Sequence, residues 1–143
     1  TQTNSIEEAL NYLSSYNIHK KAIEIWGTGL PRREFLWSED LADACLFLMK
    51  HKNFKDLFDN DTVEIKNTHL NIGTGKDITI RELAELAKQT VGYKGDYFFN
   101  SNIPDGTDRK LTDVSKLQSI GWKHSVEVED GIKLLYAWYQ KMS

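Results

Sequence analysis

The sequence predicts an α/β chain in which helices pack on a small three-stranded, mainly parallel sheet. Two observations point there. Short runs of strand-forming residues alternate with segments of helical period, most of them bounded by recognisable caps or stops. Helices also separate the strand candidates, the arrangement in which parallel strands are joined by crossovers. At 143 residues the chain fits a single domain able to bury a core.

The elements follow in order. Ser5 and Glu8 form a capping box ahead of Ile6, Ala9, Leu10 and Leu13, predicting a helix that ends near Tyr16. Ala22 to Trp26 reads as a strand stopped by Gly27, followed by the loop GTGLPRREF. A second helix starts at Ser38. Glu39 and Asp40 in its first turn and Lys50, His51 and Lys52 in its last match the helix dipole, and its expected apolar face is Leu41, Ala44, Cys45, Leu48 and Met49. Asn53 to Asn67 is a polar surface excursion with one helical turn around Phe54 to Phe58.

His69 to Ile72 is the second strand expected, closed by Gly73-Thr74-Gly75. Thr79 and Glu82 form another capping box, opening a helix with Ile80, Leu83, Ala84, Ala87 and Val91 on one face and Gly92 as its stop. Tyr97 to Phe99 is the third strand. Pro104, Asp105 and Gly106 then set a charged turn, and Asp113 is the expected N-cap of a short helix carrying Leu117 and Ile120 and ending at Gly121. A final helix is expected from Val126 to Lys141, with Val128, Ile132, Leu135 and Tyr139 on one side.

Composition narrows the function classes. Hydrophobic residues make up 40% and charged residues 27%, as in ordinary globular proteins, and no apolar run is long enough to span a bilayer. A net charge of -3 gives no electrostatic case for nucleic acid. The lone cysteine, Cys45, excludes an internal disulfide and a cysteine-based metal cluster, which suits a reducing, cytoplasmic setting; its place on an apolar helix face suggests core packing. The start at Thr1 without Met, in a segment of no targeting character, reads as a piece excised from a longer chain.

Few residues have the spacing of a reactive group. Gly27-x-Gly29 and Gly73-x-Gly75 lack the third glycine of a dinucleotide-binding turn and read as strand-to-loop turns. Tyr16 and Lys20 have Tyr-x-x-x-Lys spacing, but at a helix end. His19, His51, His69 and His124 are scattered without metal-ligand spacing, so neither a metal site nor a catalytic residue is assigned. The loop after the first strand is richer. Trp26 offers a flat face for a base or sugar, and Arg32 and Arg33 offer planar forks for phosphate oxygens. Asp105 is suited to accept hydrogen bonds from sugar hydroxyls or a base amide, with Arg109 and Lys110 adding positive charge; the same turn also reads as a solvated connection.

Taken together, WGTGLPRREF, SEDLADA, NIGTGKDITIREL and PDGTDRKLTDVSKLQSIGW resemble the C-terminal substrate domain of GDP-L-fucose synthases, which are extended short-chain dehydrogenase/reductases. The resemblance runs from about Ala22 to the C-terminus, and the Pro-Asp-Gly-Thr-x-Arg-Lys segment is its most particular part. It implies a parent enzyme, expected to be a homodimer, that uses NADPH to convert GDP-4-keto-6-deoxy-D-mannose to GDP-L-fucose by epimerisation and reduction. Trp26, Arg33 and Asp105 match substrate-contacting positions, Arg109 and Lys110 match the motif, and Arg32 falls where the family varies. NADP(H) would bind a Rossmann domain preceding this chain, together with the family's catalytic groups, so residues 1–143 alone would be inactive. A substrate-binding Arg implied on the first helix has no counterpart at Asn11-Tyr12-Leu13. The alternatives are the substrate domain of another nucleotide-sugar epimerase or dehydratase, and a stand-alone binding module.

Overall fold

The computed structural model describes residues 2–16, 18, 22–58 and 64–142. The Ser5 side chain of the first capping box, His19, and Lys20 of the Tyr-x-x-x-Lys spacing lie outside the described residues. The chain forms two compact units, Thr1–Arg32 with Ile78–Arg109 and Arg33–Asp77 with Lys110–Ser143.

The first unit contains α1 (Gln2–Ser14), β1 (Ala22–Trp26), α3 (Ile80–Val91) and β4 (Asp96–Asn100). β1 and β4 pair in parallel, in a register running from Ala22 opposite Asp96 to Trp26 opposite Asn100. Ile23, Ile25, Tyr97 and Phe99 therefore share one face, and Trp26 and Phe98 lie on the other. Tyr97 donates its hydroxyl to the Ala84 carbonyl of α3 at 2.8 Å, tying helix to sheet. The capping box predicted for α3 forms: Glu82 N–H donates to Thr79 Oγ1 (3.0 Å) and Thr79 N–H to Glu82 Oε2 (2.7 Å), with Gly92 ending the helix.

The second unit contains α2 (Ser38–His51), a 3-10 turn at Phe54–Leu57, α4 (Ser115–Ser119) and α5 (Val128–Met142). Its core is Ala44, Leu117 and Trp122, against which Leu36, Phe47, Leu48, Ile72 and Ile120 pack. Three very short strands complete the chain: β2 (Arg32–Glu34), β3 (Asp77–Thr79) and β5 (Arg109–Lys110), hydrogen-bonded in the order β3-β2-β5. The boundary of the two units falls within each of them.

The single three-stranded sheet is thus corrected to two sheets, one of two strands and one of three. Only β1 and β4 match expected strands. His69 to Ile72 keeps a strand's alternation, exposed at 69 and 71 and half-buried at 70 and 72, but among the described residues it pairs with no strand. Ile72 packs on the core, and the Asn71 side chain donates to the Asp113 carbonyl at 3.0 Å.

The face of α2 is also corrected. Ala44 is buried and Leu48 packs on the core as expected, but Leu41, Cys45 and Met49 are exposed and Asp40 is buried. The helix turns the Asp40 carboxylate inward because it has partners there, and the exposed Asp43 is held as well. Asp40 accepts from Ser125 and Val126, and Asp43 accepts from Trp122 Nε1 at 2.9 Å. Cys45 is therefore not packed in the core, and a thiol reagent should titrate it fully in the native protein before any unfolding transition. On α5, Leu135 and Tyr139 are exposed. Asp113 is not the N-cap of α4. Val114 occupies that position by the bounds of the helix, yet Asp113 Oδ1 accepts from Ser115 N–H (3.0 Å), the bond a cap at 113 would make.

Candidate functional site

In the first unit the loop after β1 is fastened at nearly every residue. Gly27 N–H donates to the Asn100 carbonyl (3.0 Å), continuing the β1–β4 ladder. Thr28 donates twice to one carboxylate, through N–H to Asp105 Oδ1 (2.8 Å) and through its hydroxyl to Oδ2 (2.6 Å). The same hydroxyl accepts from Leu30 N–H at 3.1 Å. Gly27 has no alternative here, since a Cβ at this position, with φ +82°, would collide with the Asp105 carboxyl.

Arg81 stacks its guanidinium on Phe99, 3.7 Å from the ring centre, and donates through Nη2 to the Thr28 carbonyl at 2.7 Å. The first N–H groups of a helix are without intrahelical partners and make a ready anion site. At α3 they are already engaged: Ile80 N–H donates to the Pro31 carbonyl (3.0 Å), Arg81 N–H to the Gly29 carbonyl (2.9 Å), and Glu82 N–H to its cap. The loop, not a phosphate, takes this helix end.

In the second unit Glu34 holds a comparable position. Its Oε1 accepts from Thr74 N–H (2.6 Å), Gly75 N–H (2.6 Å) and the Thr74 hydroxyl (3.2 Å), and its Oε2 accepts from Thr112 N–H (3.0 Å). Burial pushes this carboxyl up, but the hydrogen bonds from Thr112, Gly75 and Thr74 together outweigh it and leave its pKa below the ordinary glutamate value. Glu34 thereby ties the Gly73–Gly75 turn to the stretch just after β5. This Gly-x-Gly turn is filled by the protein's own carboxylate.

The five sequence-predicted site residues are placed as follows. Trp26 ends β1 with 64% of its surface exposed, and Asp105 lies in the exposed turn that Thr28 fastens to the loop following it. Arg33 is half-buried in β2. Arg109 and Lys110 are the two exposed residues of β5, the strand next to β2. Arg32, read from sequence as a second phosphate fork, has Nη1 3.9 Å from Glu82 Oε2 and donates its N–H to the Asp108 carbonyl at 2.7 Å. Thr28, Glu34 and Arg81 were not legible as functional residues. The available signal was the repeated Gly-Thr-Gly, which marks a turn but not the carboxylate that fills it. Among the described residues, no group of three or more His, Cys, Asp or Glu is placed to hold a metal ion.

Comparison with known proteins adds to this geometry. The NAD dependent epimerase/dehydratase family pattern matches residues 3–73. GDP-L-fucose synthase 1 of Arabidopsis thaliana is 46% identical over 119 residues, covering 83% of this chain and 33% of that protein. A GDP-6-OMe-4-keto-L-xylo-heptose reductase from C. jejuni superposes with a TM-score of 0.89 at 49% identity, covering 96% of this chain and 39% of that one. The GDP-mannoheptose C4 reductase of Campylobacter jejuni, solved with NADP bound, gives a TM-score of 0.78 at 48% identity, covering 94% of this chain and 37% of its own. The chain spans about a third of the length of the curated relatives it matches.

Proposed function

We propose that this chain, which belongs to the NAD dependent epimerase/dehydratase family, is the GDP-sugar-holding part of a GDP-L-fucose synthase-like enzyme. The observation that carries the reading is the fastening of the Pro-Asp-Gly-Thr-x-Arg-Lys turn to the loop beside Trp26 through Thr28 and Asp105. In this reading Trp26 stacks on the base or sugar, Arg33 forks the diphosphate with Arg109 and Lys110 adding charge, and Asp105 accepts from ligand hydroxyls with the lone pairs Thr28 leaves unused. The parent enzyme takes GDP-4-keto-6-deoxy-D-mannose to GDP-L-fucose and works as a homodimer.

The described residues do not fit a dinucleotide. Both Gly-x-Gly turns face a carboxylate and the first N–H groups of α3 are engaged, so NADP(H) is assigned to a Rossmann domain outside this chain. The isolated chain should therefore consume no NADPH when given the keto-sugar nucleotide. A steady loss of absorbance at 340 nm would overturn that assignment.

A second reading is favoured by one finding, the high identity to the C. jejuni heptose reductase over nearly the whole chain. It keeps the GDP-4-keto class and replaces the hexose by a heptose, with 4-reduction as the chemistry. Supplying the full-length enzyme with NADPH and either GDP-4-keto-6-deoxy-D-mannose or GDP-6-OMe-4-keto-L-xylo-heptose separates the two, the first being expected to have the higher kcat/KM. In the same enzyme, Arg33→Ala should weaken GDP-sugar binding by about 1.5–3 kcal/mol, roughly ten- to hundredfold, as expected for loss of a charge-assisted contact. Unchanged affinity by calorimetry would remove Arg33 from the site.

A further inference from the structure

The sequence Gly-Thr-Gly occurs twice, and the two copies close on carboxylates in the same way. In both turns the Thr N–H and the Thr hydroxyl donate to one carboxylate, Asp105 for Thr28 and Glu34 for Thr74. In both, the Thr hydroxyl also accepts from the N–H two residues on, Leu30 at 3.1 Å and Lys76 at 3.2 Å. In both, the second glycine is left-handed, with φ +76° at Gly29 and +72° at Gly75. The turns differ in one respect, since the single Thr74 hydroxyl proton is shared between Glu34 and the Lys76 carbonyl at 3.1 Å, but each hydroxyl has its donor and one acceptor position spent within the protein. What each turn does is bring distant segments into register. Thr28 joins the residue after Gly27 to a turn 77 positions away, and Thr74 lies 40 positions from Glu34.

The segments so joined are those that carry the candidate contacts. Trp26 immediately precedes the first turn, and Asp105 is its carboxylate. Arg33 adjoins Glu34, whose other oxygen holds Thr112 two residues past Lys110. A stacking or bidentate contact depends steeply on placement, and an ångström of drift in its support costs much of its value.

We propose that the two Gly-Thr-Gly turns are positioning clamps for the GDP-sugar contacts, Thr28 acting through Asp105 on Trp26 and Thr74 acting through Glu34 on Arg33. Arg81 belongs to the first clamp, because its guanidinium, braced on Phe99, holds the Thr28 carbonyl. The proposal rests on the GDP-sugar reading above and adds residues to it that do not touch the ligand.

The test uses the full-length enzyme with Thr28→Val, Thr28→Ser, Thr74→Val and Thr74→Ser, measuring KM for the GDP-sugar, KM for NADPH, kcat and Tm. Valine keeps the shape and loses the hydroxyl; serine restores it. The expected result is a roughly tenfold rise in the GDP-sugar KM in each valine variant, with NADPH KM and kcat within about twofold of the parent and each serine variant recovering most of the loss. A GDP-sugar KM unchanged in the valine variants overturns the proposal. So does an equal rise in both KM values, or a serine variant as impaired as its valine counterpart, since either marks a general structural role. Arg81→Gln, at an exposed side chain, reads the first clamp without altering Thr28 and should show the same selective rise; no rise there overturns the assignment of Arg81, and settles the first clamp if Thr28→Val does not fold. Arg33→Ala is measured alongside. If it leaves the GDP-sugar KM unchanged the functional reading itself fails, whereas a raised KM there with none in the valine variants sinks only the clamps.

Discussion

Replacing Glu34 with Ala should lower the stability of the folded chain by about 3 kcal/mol and weaken GDP-sugar binding with it. Three backbone donors lose their acceptor at once, the N–H groups of Thr74, Gly75 and Thr112, while the Thr74 hydroxyl falls back on the Lys76 carbonyl. Hydrogen bonds to a charged group are worth roughly 1.5–3 kcal/mol each, but the site is only half-buried and water can replace part of what is lost, so the sum is discounted. Chemical denaturation of the variant and the parent at pH 7 measures the difference directly.

The same residue sets an acid dependence. Its pKa is lower in the folded chain than in the unfolded one, so its contribution is fully present above the ordinary glutamate value of about 4.3 and fades as pH falls through the depressed folded value. Glu34→Gln should therefore be less stable than the parent at pH 7, yet converge towards it as the pH is taken below about 4. A constant gap between the two across that range would show that the loss is one of packing and not of the carboxylate's charge.

What could be read from the sequence was what is decided locally. The Thr79–Glu82 capping box and the Gly92 stop involve residues within a turn or two of one another, and α3 forms as expected. The runs at Ala22–Trp26 and Tyr97–Phe99 carry enough strand character to be recognised before their pairing is known. The misreadings share a different cause. Asp40 looks like a solvent residue of an amphipathic helix, and only partners 85 and 86 positions away explain why it faces inward while Cys45 stays outside. His69 to Ile72 has a strand's alternation but, among the described residues, pairs with no strand, which no period within the segment reveals. At the candidate site, Trp26 and Asp105 were legible because their motifs are distinctive. Glu34 was not, because a glutamate between Arg33 and Phe35 reads as charge until the donors 40 and 78 positions on are brought to it.

Asp40 offers the second large effect, and the more sharply defined one because it is buried, with 6% of its surface exposed. Its carboxylate accepts from the Ser125 hydroxyl (2.6 Å), Ser125 N–H (3.1 Å) and Val126 N–H (2.9 Å), so that the first turn of α2 holds the connection leading into α5. Burial alone would push this carboxyl up. The Ser125 hydroxyl and the two N–H groups, with a smaller attraction from His124, bring it below the ordinary aspartate value. Asp40→Ala should cost about 3 kcal/mol, because it leaves two part-buried backbone donors without their acceptor and removes a negative charge from a helix N-terminus. Asp40→Asn keeps one acceptor oxygen and should cost about half as much. By the same linkage as at Glu34, the depressed folded pKa places the parent's advantage at neutral pH, with its loss beginning as pH drops below the ordinary aspartate value of about 3.9. Ser125→Ala, which removes only the hydroxyl donor, should cost about 1 kcal/mol and leave the two N–H bonds in place. If Asp40→Asn unfolds at the same denaturant concentration as the parent, the charge at this position is incidental, and the inward turn of α2 must be explained by Ala44 and Trp122 alone.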